Sequence, residues 1–372
     1  MFILRKKRIL VAVTSDVYSD MRVMKVSNYL VDRNADVIVV GRNTKAFELN
    51  TKFQVKLINL VFNRSFLFYL EFNLRFLFFG LLKKVDIVVA NDLDTLLASY
   101  LISKIKRADL VYDSHEYFTE SVGLQGRRFP RLVWLILERW LLPKVKNAYT
   151  VSKPIADAYY KKYAVRFELI RNYPVKIEQI IPMKDDRFTS KKIILYQGVF
   201  NEYRGLEDVI YAMNFLPNDY IFLLIGYGEL EQKLRQITKE NQLNNRVYFL
   251  GKLPYDEMIR FTAIADLGIA LEAPMGDSFK YSLPNKVFDY IQVGLPFISL
   301  GTPEVKKIID QYHVGKIINY FDSKELANCI LQLIQNKVEL DELIYNQGIN
   351  KRYFTWENES INLDKVYNTL FY

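Results

Sequence analysis

Several short stretches of this chain hold residue types at spacings that could do chemistry. In 280–298, KYSLPNKVFDYIQVGLPFI, Pro284 lacks the N–H that a helix leaves unpaired at its first position, and Gly294 ahead of Leu295-Pro296 stops what Pro284 starts. The spacing predicts a helix over 284–293. The backbone N–H groups of Tyr281, Ser282 and Leu283 run toward its N-terminus, where the summed peptide dipoles favour an anion, most often phosphate. Lys286 adds a cation in the first turn, where the dipole alone prefers an acid, so an external anion would relieve it. Asp289, one turn on, has the chemistry to hold ribose hydroxyls beside a bound nucleotide. An ordinary surface helix with a proline start is equally open.

Upstream, Leu195-Tyr196-Gln197-Gly198-Val199-Phe200 ends a strand pattern, and Arg204-Gly205-Leu206-Glu207 opens a helical one. Gly198 lets the backbone pass close to a ligand, and the Arg204 guanidinium can fork onto two phosphate oxygens; a solvated first-turn arginine is the plainer alternative. Gly226 and Gly228 make a G-x-G strand-to-helix turn, a weak signal by itself. Lys252 follows the strand that ends at Gly251. Glu272 ends another strand, and Asp277 lies in the loop toward the phosphate helix; either could add an acid to the site.

The first half carries a different chemistry. Ser15-Asp16 through Arg22-Val23 follows the first strand, with Asp20 as a helix N-cap. Asn91-Asp92-Leu93-Asp94 ends a strand and opens a helix. An Asp-x-Asp pair can hold Mg²⁺ against a diphosphate, but the phosphate signals lie in the other half, and Asp92 and Asp94 serve equally as N-cap and first-turn acids. No metal and no cofactor are therefore expected. Val111-Tyr112-Asp113-Ser114-His115-Glu116 is more telling, because an imidazole at the C-terminal edge of a parallel sheet can take or orient a hydroxyl proton. A structural histidine is the alternative. His313 lies between helix and strand patterns and reads as a connector.

These residues need elements to hold them. At 372 residues the chain exceeds what one core serves, and half of it is apolar, so two domains are expected. Strand patterns near 8–13, 36–40, 54–58, 86–90, 109–113, 148–151 and 167–171 alternate with helical ones. After a break over 172–190 they resume near 192–197, 220–225, 246–250, 266–271, 296–299 and 315–318. The class is α/β, with ligands beyond the C-terminal strand edges. The expected division is 1–178, a linker at 179–190, 191–350, and a closing helix in 351–372 that returns toward the first domain. Helices are expected at 323–335, 338–350 and 356–370.

Composition narrows the partners. Cys329 is the only cysteine, so there is no disulfide framework and a reducing compartment fits. The apolar run after Arg5-Lys6-Lys7-Arg8 is short and reads as a strand, not a signal peptide. No run of about eighteen uncharged apolar residues occurs, so no bilayer span is expected. Residues 1–180 hold 30 Lys+Arg against 17 Asp+Glu, a charge of +13, while the remainder is −4. An anionic membrane surface suits that imbalance. Nucleic acid does not, because the aromatics fall in helical apolar stripes instead of among the basic residues. Two such stripes stand out: 66–82, FLFYLEFNLRFLFFGLL, and 127–146, RRFPRLVWLILERWLLPKVK, with Arg127, Arg128, Arg131 and Arg139 beside Trp134 and Trp140. Core packing is the alternative for both.

The wording of these segments resembles glycosyltransferase family 4, enzymes of the GT-B type. The match covers residues 8 to 368 and is most specific in VYDSHEYFTE and in Pro284, Lys286, Asp289-Tyr290-Ile291, Gly294 and Pro296. The resemblance implies two facing Rossmann-like domains with a cleft between them, the second holding a nucleoside-diphosphate sugar and the first an acceptor. It implies a retaining, metal-independent transferase. On the donor side it implies that Gly198 and Arg204 lie by the diphosphate, that Gly226 lines the cleft beside the donor, that Lys252 lies by the base, that Tyr281, Ser282, Leu283, Pro284 and Lys286 wrap the phosphates, and that Asp289 holds the ribose. On the acceptor side it implies Asp16, Arg22, Asp92, Asp94, His115 and Glu116. His115, Arg204 and Lys286 would be catalytic, the two cations by stabilising the leaving diphosphate. Two places depart from the family pattern: Val199 replaces a basic residue and Tyr281 replaces an acid. The acceptor implied is a lipid-linked glycan at the inner membrane face, in bacterial capsule, O-antigen or exopolysaccharide synthesis, with the protein cytoplasmic or peripheral there. A nucleotide-sugar epimerase and a non-catalytic sugar-nucleotide-binding subunit are the other readings.

Overall fold

The structure is a computed structural model that describes residues 6–44, 50–124, 126–273 and 280–371. The chain forms two compact units, one of Met1–Asn172 with Glu359–Tyr372, the other of Tyr173–Asn358. Tyr173 belongs to the second because its ring packs on Phe288 and Phe354, at centroid distances of 4.5 and 5.7 Å.

In unit 1 the described residues make a seven-stranded sheet in the order β3-β2-β1-β4-β5-β6-β7. The strands are β1 Arg8–Ala12, β2 Asp36–Arg42, β3 Gln54–Ile58, β4 Ile87–Asn91, β5 Asp109–Ser114, β6 Asn147–Thr150 and β7 Glu168–Leu169. All the pairings are parallel. Strand β4, Ile-Val-Val-Ala-Asn, is buried at every position, as an apolar run must be when helices cover both sheet faces. Between the strands lie α1 (Met21–Asp32), α2 (Ser65–Leu82), α3 (Leu93–Lys106), α4 (Arg128–Leu141) and α5 (Lys153–Tyr163).

Helix α2 is apolar on two sides. Phe68, Phe72, Phe76 and Gly80 are buried, and the Phe72 and Phe76 rings join Leu10, Val40 and Val88 in the core. Its mean hydropathy of 1.4 over 18 residues makes it long and apolar enough to cross a membrane, which the sequence reading had not allowed. Here its inner stripe packs on the sheet.

In unit 2 the order is β10-β9-β8-β11-β12-β13, again parallel. The strands are β8 Lys192–Gln197, β9 Tyr220–Ile225, β10 Val247–Gly251, β11 Leu267–Ala270, β12 Phe297–Ser299 and β13 Lys316–Ile317, with helices α6 (Leu206–Ala212), α7 (Glu231–Glu240), α8 (Tyr255–Thr262) and α9 (Asn285–Val293) among them. Further helices cover Pro303–Tyr312, Ser323–Gln335 and Lys337–Asn350. Each sheet thus reverses its strand order once, between β1 and β4 and between β8 and β11. That reversal opens a crevice beyond the C-terminal strand ends where α/β proteins bind ligands.

Two local expectations need correction. Helix α9 starts at Asn285, and Pro284 (φ −62°, ψ 128°) is the extended residue before it; Gly294 closes the helix in the left-handed region at φ 78°. The closing segment is not one helix but Trp356–Glu359, a 3₁₀ turn over Ser360–Leu363, and Asp364–Phe371. Ser360 and Asn362 favour local bonds over an α ladder, and Glu359 is tied down by accepting from the Arg171 N–H at 2.8 Å.

Candidate active site

The C-terminal ends of β8 and β11 gather the first cluster. Glu272, just past β11, is nearly fully buried, and one of its oxygens takes two cations: Lys286 Nζ at 2.7 Å and Arg204 Nη1 at 2.9 Å. Burial alone would raise the Glu272 pKa, but Lys286 and then Arg204 outweigh it and hold the carboxyl below its ordinary range. Lys286 is 6 % exposed, on the first turn of α9, and its Nζ sits 3.7 Å from the centre of the Tyr196 ring. Arg204 precedes α6 at a half-buried position, so it is no freely solvated first-turn residue. Two hydrogen-bonding cations thus meet at one carboxylate oxygen.

Glycine shapes this edge. Gly198 has φ +135°, and a Cβ there would touch the Tyr196 hydroxyl at 3.5 Å and Lys286 Nζ at 3.7 Å. Gly226, at φ +141°, faces the Gly198 carbonyl so closely that a Cβ would lie 1.8 Å from its oxygen. The close approach that the G-x-G pattern licenses is therefore between two strand-end loops.

Asp289 lies on the buried side of α9, where its oxygens accept from Gln197 Nε2 at 2.7 Å and from the Tyr255 hydroxyl at 2.8 Å. Gln197 in turn accepts from Thr262 at 2.7 Å. In this arrangement the carboxylate ties α8 and α9 to the end of β8, a role the sequence reading did not foresee. Tyr281, Ser282, Leu283 and Pro284 form the half-buried approach to α9, and Lys252 is exposed with its Nζ 5.6 Å over the Tyr227 ring. Asp277 lies outside the described residues.

The second cluster lies beyond β4 and β5. Arg22 of α1, 2 % exposed, grips the fully buried Asp113 through Nη2 at 2.7 Å and Nε at 2.9 Å, and Nη1 donates to the Ile170 carbonyl at 2.8 Å. It is spent inward, not offered to an acceptor. Asp113 then meets His115 Nε2 at 3.2 Å, with Asn91 Oδ1 equally close. Asp92 does not cap α3: it has no side-chain capping bond, and its Oδ1 instead accepts from the His115 N–H at 2.8 Å while Oδ2 lies 3.6 Å from Nδ1. Its backbone, φ 58° and ψ 170°, is in a region nearly reserved for glycine, and such strain costs roughly 1–3 kcal/mol and concentrates at functional sites. Asp94 is first-turn as expected, and accepts from Thr14 Oγ1 at 2.5 Å.

The electrostatics follow from this packing. Burial works against a charged His115, but Asp92 and Asp113 outweigh it and lift its pKa to about 10. Burial pushes Asp92 up to about 8 and Asp94 to about 6, while Arg22 and His115 overcome the same effect at Asp113 and keep it low. The result is a protonated imidazole at neutral pH with 20 % of its side chain exposed, able to donate to an oxygen. Asp16 caps the turn after β1, accepting from the Tyr18 N–H at 3.1 Å and Ser19 Oγ at 2.7 Å. Asp20 caps α1 through the Val23 N–H at 3.1 Å, and Glu116 is exposed. Among the described residues no group of three or more His, Cys, Asp or Glu is arranged to hold a metal ion.

Comparisons with known proteins bear on the family and the fold. The model of "Glycosyl transferases group 1" matches residues 178–351, and that of "Glycosyltransferase Family 4" matches residues 21–172. An uncharacterized glycosyltransferase of Methanocaldococcus jannaschii is 24% identical over 321 residues, 80% of each chain. The amylovoran biosynthesis glycosyltransferase of Erwinia amylovora is 25% identical over 40% of this chain and 37% of its own length. Among solved structures, the Anabaena protein HepE in complex with UDP-glucose superposes with a TM-score of 0.72 at 17% identity, over 98% of this chain and 100% of that one.

Proposed function

The chain belongs to the family 4 glycosyltransferases and has their GT-B fold, and from that premise we propose that it moves a sugar, with retention, from a nucleoside-diphosphate sugar to a glycan acceptor. The observation that carries the donor half of this reading is the convergence of Arg204 and Lys286 on a single Glu272 oxygen at the start of α9. An arriving diphosphate competes for those two cations, and the N–H groups at the helix start add to them. As the sugar leaves, negative charge builds on the diphosphate, and Arg204 and Lys286 stabilise it. His115, charged and partly exposed, donates to an oxygen of the acceptor or of the transferred sugar, while Arg22 and Asp113 keep its ring in place.

The acceptor we propose is a lipid-linked glycan at the inner face of a bacterial membrane, in surface-polysaccharide synthesis. The role printed for the Erwinia relative and the +13 charge of the first half support this choice. The nucleotide preference is a uridine diphosphate sugar, by analogy with the Anabaena complex. The test is release of nucleoside diphosphate from a panel of nucleotide-sugars with and without a lipid-linked acceptor. Release that depends on acceptor supports transfer. Isomerised donor without acceptor would point to an epimerase, and binding without turnover to a sugar-nucleotide-binding subunit.

A further inference from the structure

The outer surface of α2 and α4 is left unexplained by transfer chemistry. On α2 the stripe Phe66, Leu70, Leu74, Phe78 and Leu82 recurs every four residues opposite the buried stripe, and its members are 41–86 % exposed. On α4 the residues Phe129, Leu132, Ile136 and Trp140 recur in the same way at 49–76 % exposure. The two helices both pack on the mostly buried α3, and they meet where the Tyr69 ring of α2 lies edge-on to Trp134 of α4 at 5.2 Å. Two exposed apolar stripes on helices that flank α3 go beyond scattered surface leucines.

Charge says what covers it. Arg127, Arg128 and Arg139 border the α4 stripe, exposed and with no acid in ion-pair range among the described residues. The acids nearby are already used, Glu138 by Lys162 and Glu120 by Arg131. At its far end the stripe reaches a hollow of ≈ 300 Å³ lined by Lys104, Arg107, Lys144 and Lys146, with Asp109 as its one carboxylate. Trp140 connects the two, its ring 6.1 Å from Tyr100 and 4.4 Å from Lys144 Nζ. Apolar side chains that need a dry surface, a tryptophan at the edge and a cationic hollow beyond it match acyl chains, interface and phosphate headgroup in that order.

We propose that the outer face of α2 and α4, with the basic hollow at the end of α4, rests on an anionic phospholipid surface and takes a lipid phosphate into the hollow. The inference adds a location to the proposed transferase but does not depend on it. Vesicle flotation of the full chain tests it. Phosphatidylglycerol vesicles at low salt are expected to carry the protein, phosphatidylcholine vesicles to carry much less, and high salt to reduce the difference. Ile136→Ser with Trp140→Ser should lower binding to both vesicle types, and Lys144→Glu with Lys146→Glu should remove the preference for phosphatidylglycerol, each by roughly tenfold or more. Both pairs keep the wild-type melting temperature, since the residues are exposed, and keep transfer to a water-soluble acceptor, which separates this proposal from the catalytic one. Wild-type protein that stays with the soluble fraction on phosphatidylglycerol at low salt overturns it. So does a concentration-dependent dimer that the Ile136→Ser, Trp140→Ser pair abolishes in the absence of vesicle binding.

Discussion

Two clusters of acids and cations sit at matching points of the two sheets, yet they are built for different tasks. In unit 1 the buried Arg22 holds the buried Asp113, and the pair steadies a histidine that keeps a proton. In unit 2 one carboxylate gathers two cations. The first arrangement closes its ion pair within the protein around a charged histidine; the second sets two cations on one carboxylate oxygen, for which the proposed diphosphate would compete. The same topology supplies a crevice in each sheet, and the partners gathered around one acid give each crevice its own charge pattern.

The largest expected effect tests the closed pair. Arg22→Met takes the two-pronged partner from the buried Asp113 and leaves it only His115 Nε2 at 3.2 Å, which should cost about 3 kcal/mol of stability in chemical denaturation, with nucleotide binding by unit 2 kept in whatever protein remains folded. An unchanged denaturation midpoint would erase the contrast. Arg204→Ala should do the reverse: Glu272 keeps Lys286, so stability changes little, while transition-state stabilisation falls by roughly 2–4 kcal/mol in kcat/KM. Activity within threefold of wild type would remove Arg204 from the site.

A pH series sharpens the unit 1 side. The His115 pKa is raised above its ordinary 6.5 to about 10, so its contribution to stability is complete below about 6.5 and is lost as pH rises through about 10. Activity that needs its proton should fall on the same alkaline side. Asp92→Asn removes one of the two carboxylates that hold that proton, and should move the His115 titration, followed by NMR, down by roughly a unit or more. A titration that does not move would mean Asp113 alone sets the charge. The smallest effect lies at the cap: Asp20→Ala should cost about 1 kcal/mol of unit 1 stability through α1, without changing donor affinity.

How far the sequence could be read depends on the distance over which each feature is decided. Strands β8 and β9 and the helix over Ser323–Gln335 fall where apolar pattern and turn residues put them, because these signals act within a few residues. Lys286 and Arg204 were recognisable by type and by their place at helix starts. Their common dependence on Glu272 was not, since the pairs join positions 14 and 68 residues apart. Arg22 and Asp113 are 91 apart, and nothing local distinguishes an arginine turned inward from one turned to an acceptor. The one available hint was Asp113 itself, a carboxylate that follows the apolar run Leu110-Val111-Tyr112. Asp289 shows the same limit from the other side: its position in the motif is clear in the sequence, but its partners Gln197 and Tyr255 come from other elements.

The path of the chain through its two units carries a consequence for how the protein is made. Tyr367 is buried in unit 1 with its hydroxyl 3.4 Å from that of Tyr149, and Asp364 accepts from Tyr29 at 2.5 Å, so the stretch after residue 358 completes a core begun long before. On the ribosome that stretch emerges only after unit 2 has been synthesised. The earlier-born domain must therefore wait, with Tyr29 and Tyr149 uncovered, while the later one is free to fold, which makes the nascent first half the natural client for a chaperone and truncation at residue 358 more harmful to unit 1 than to unit 2.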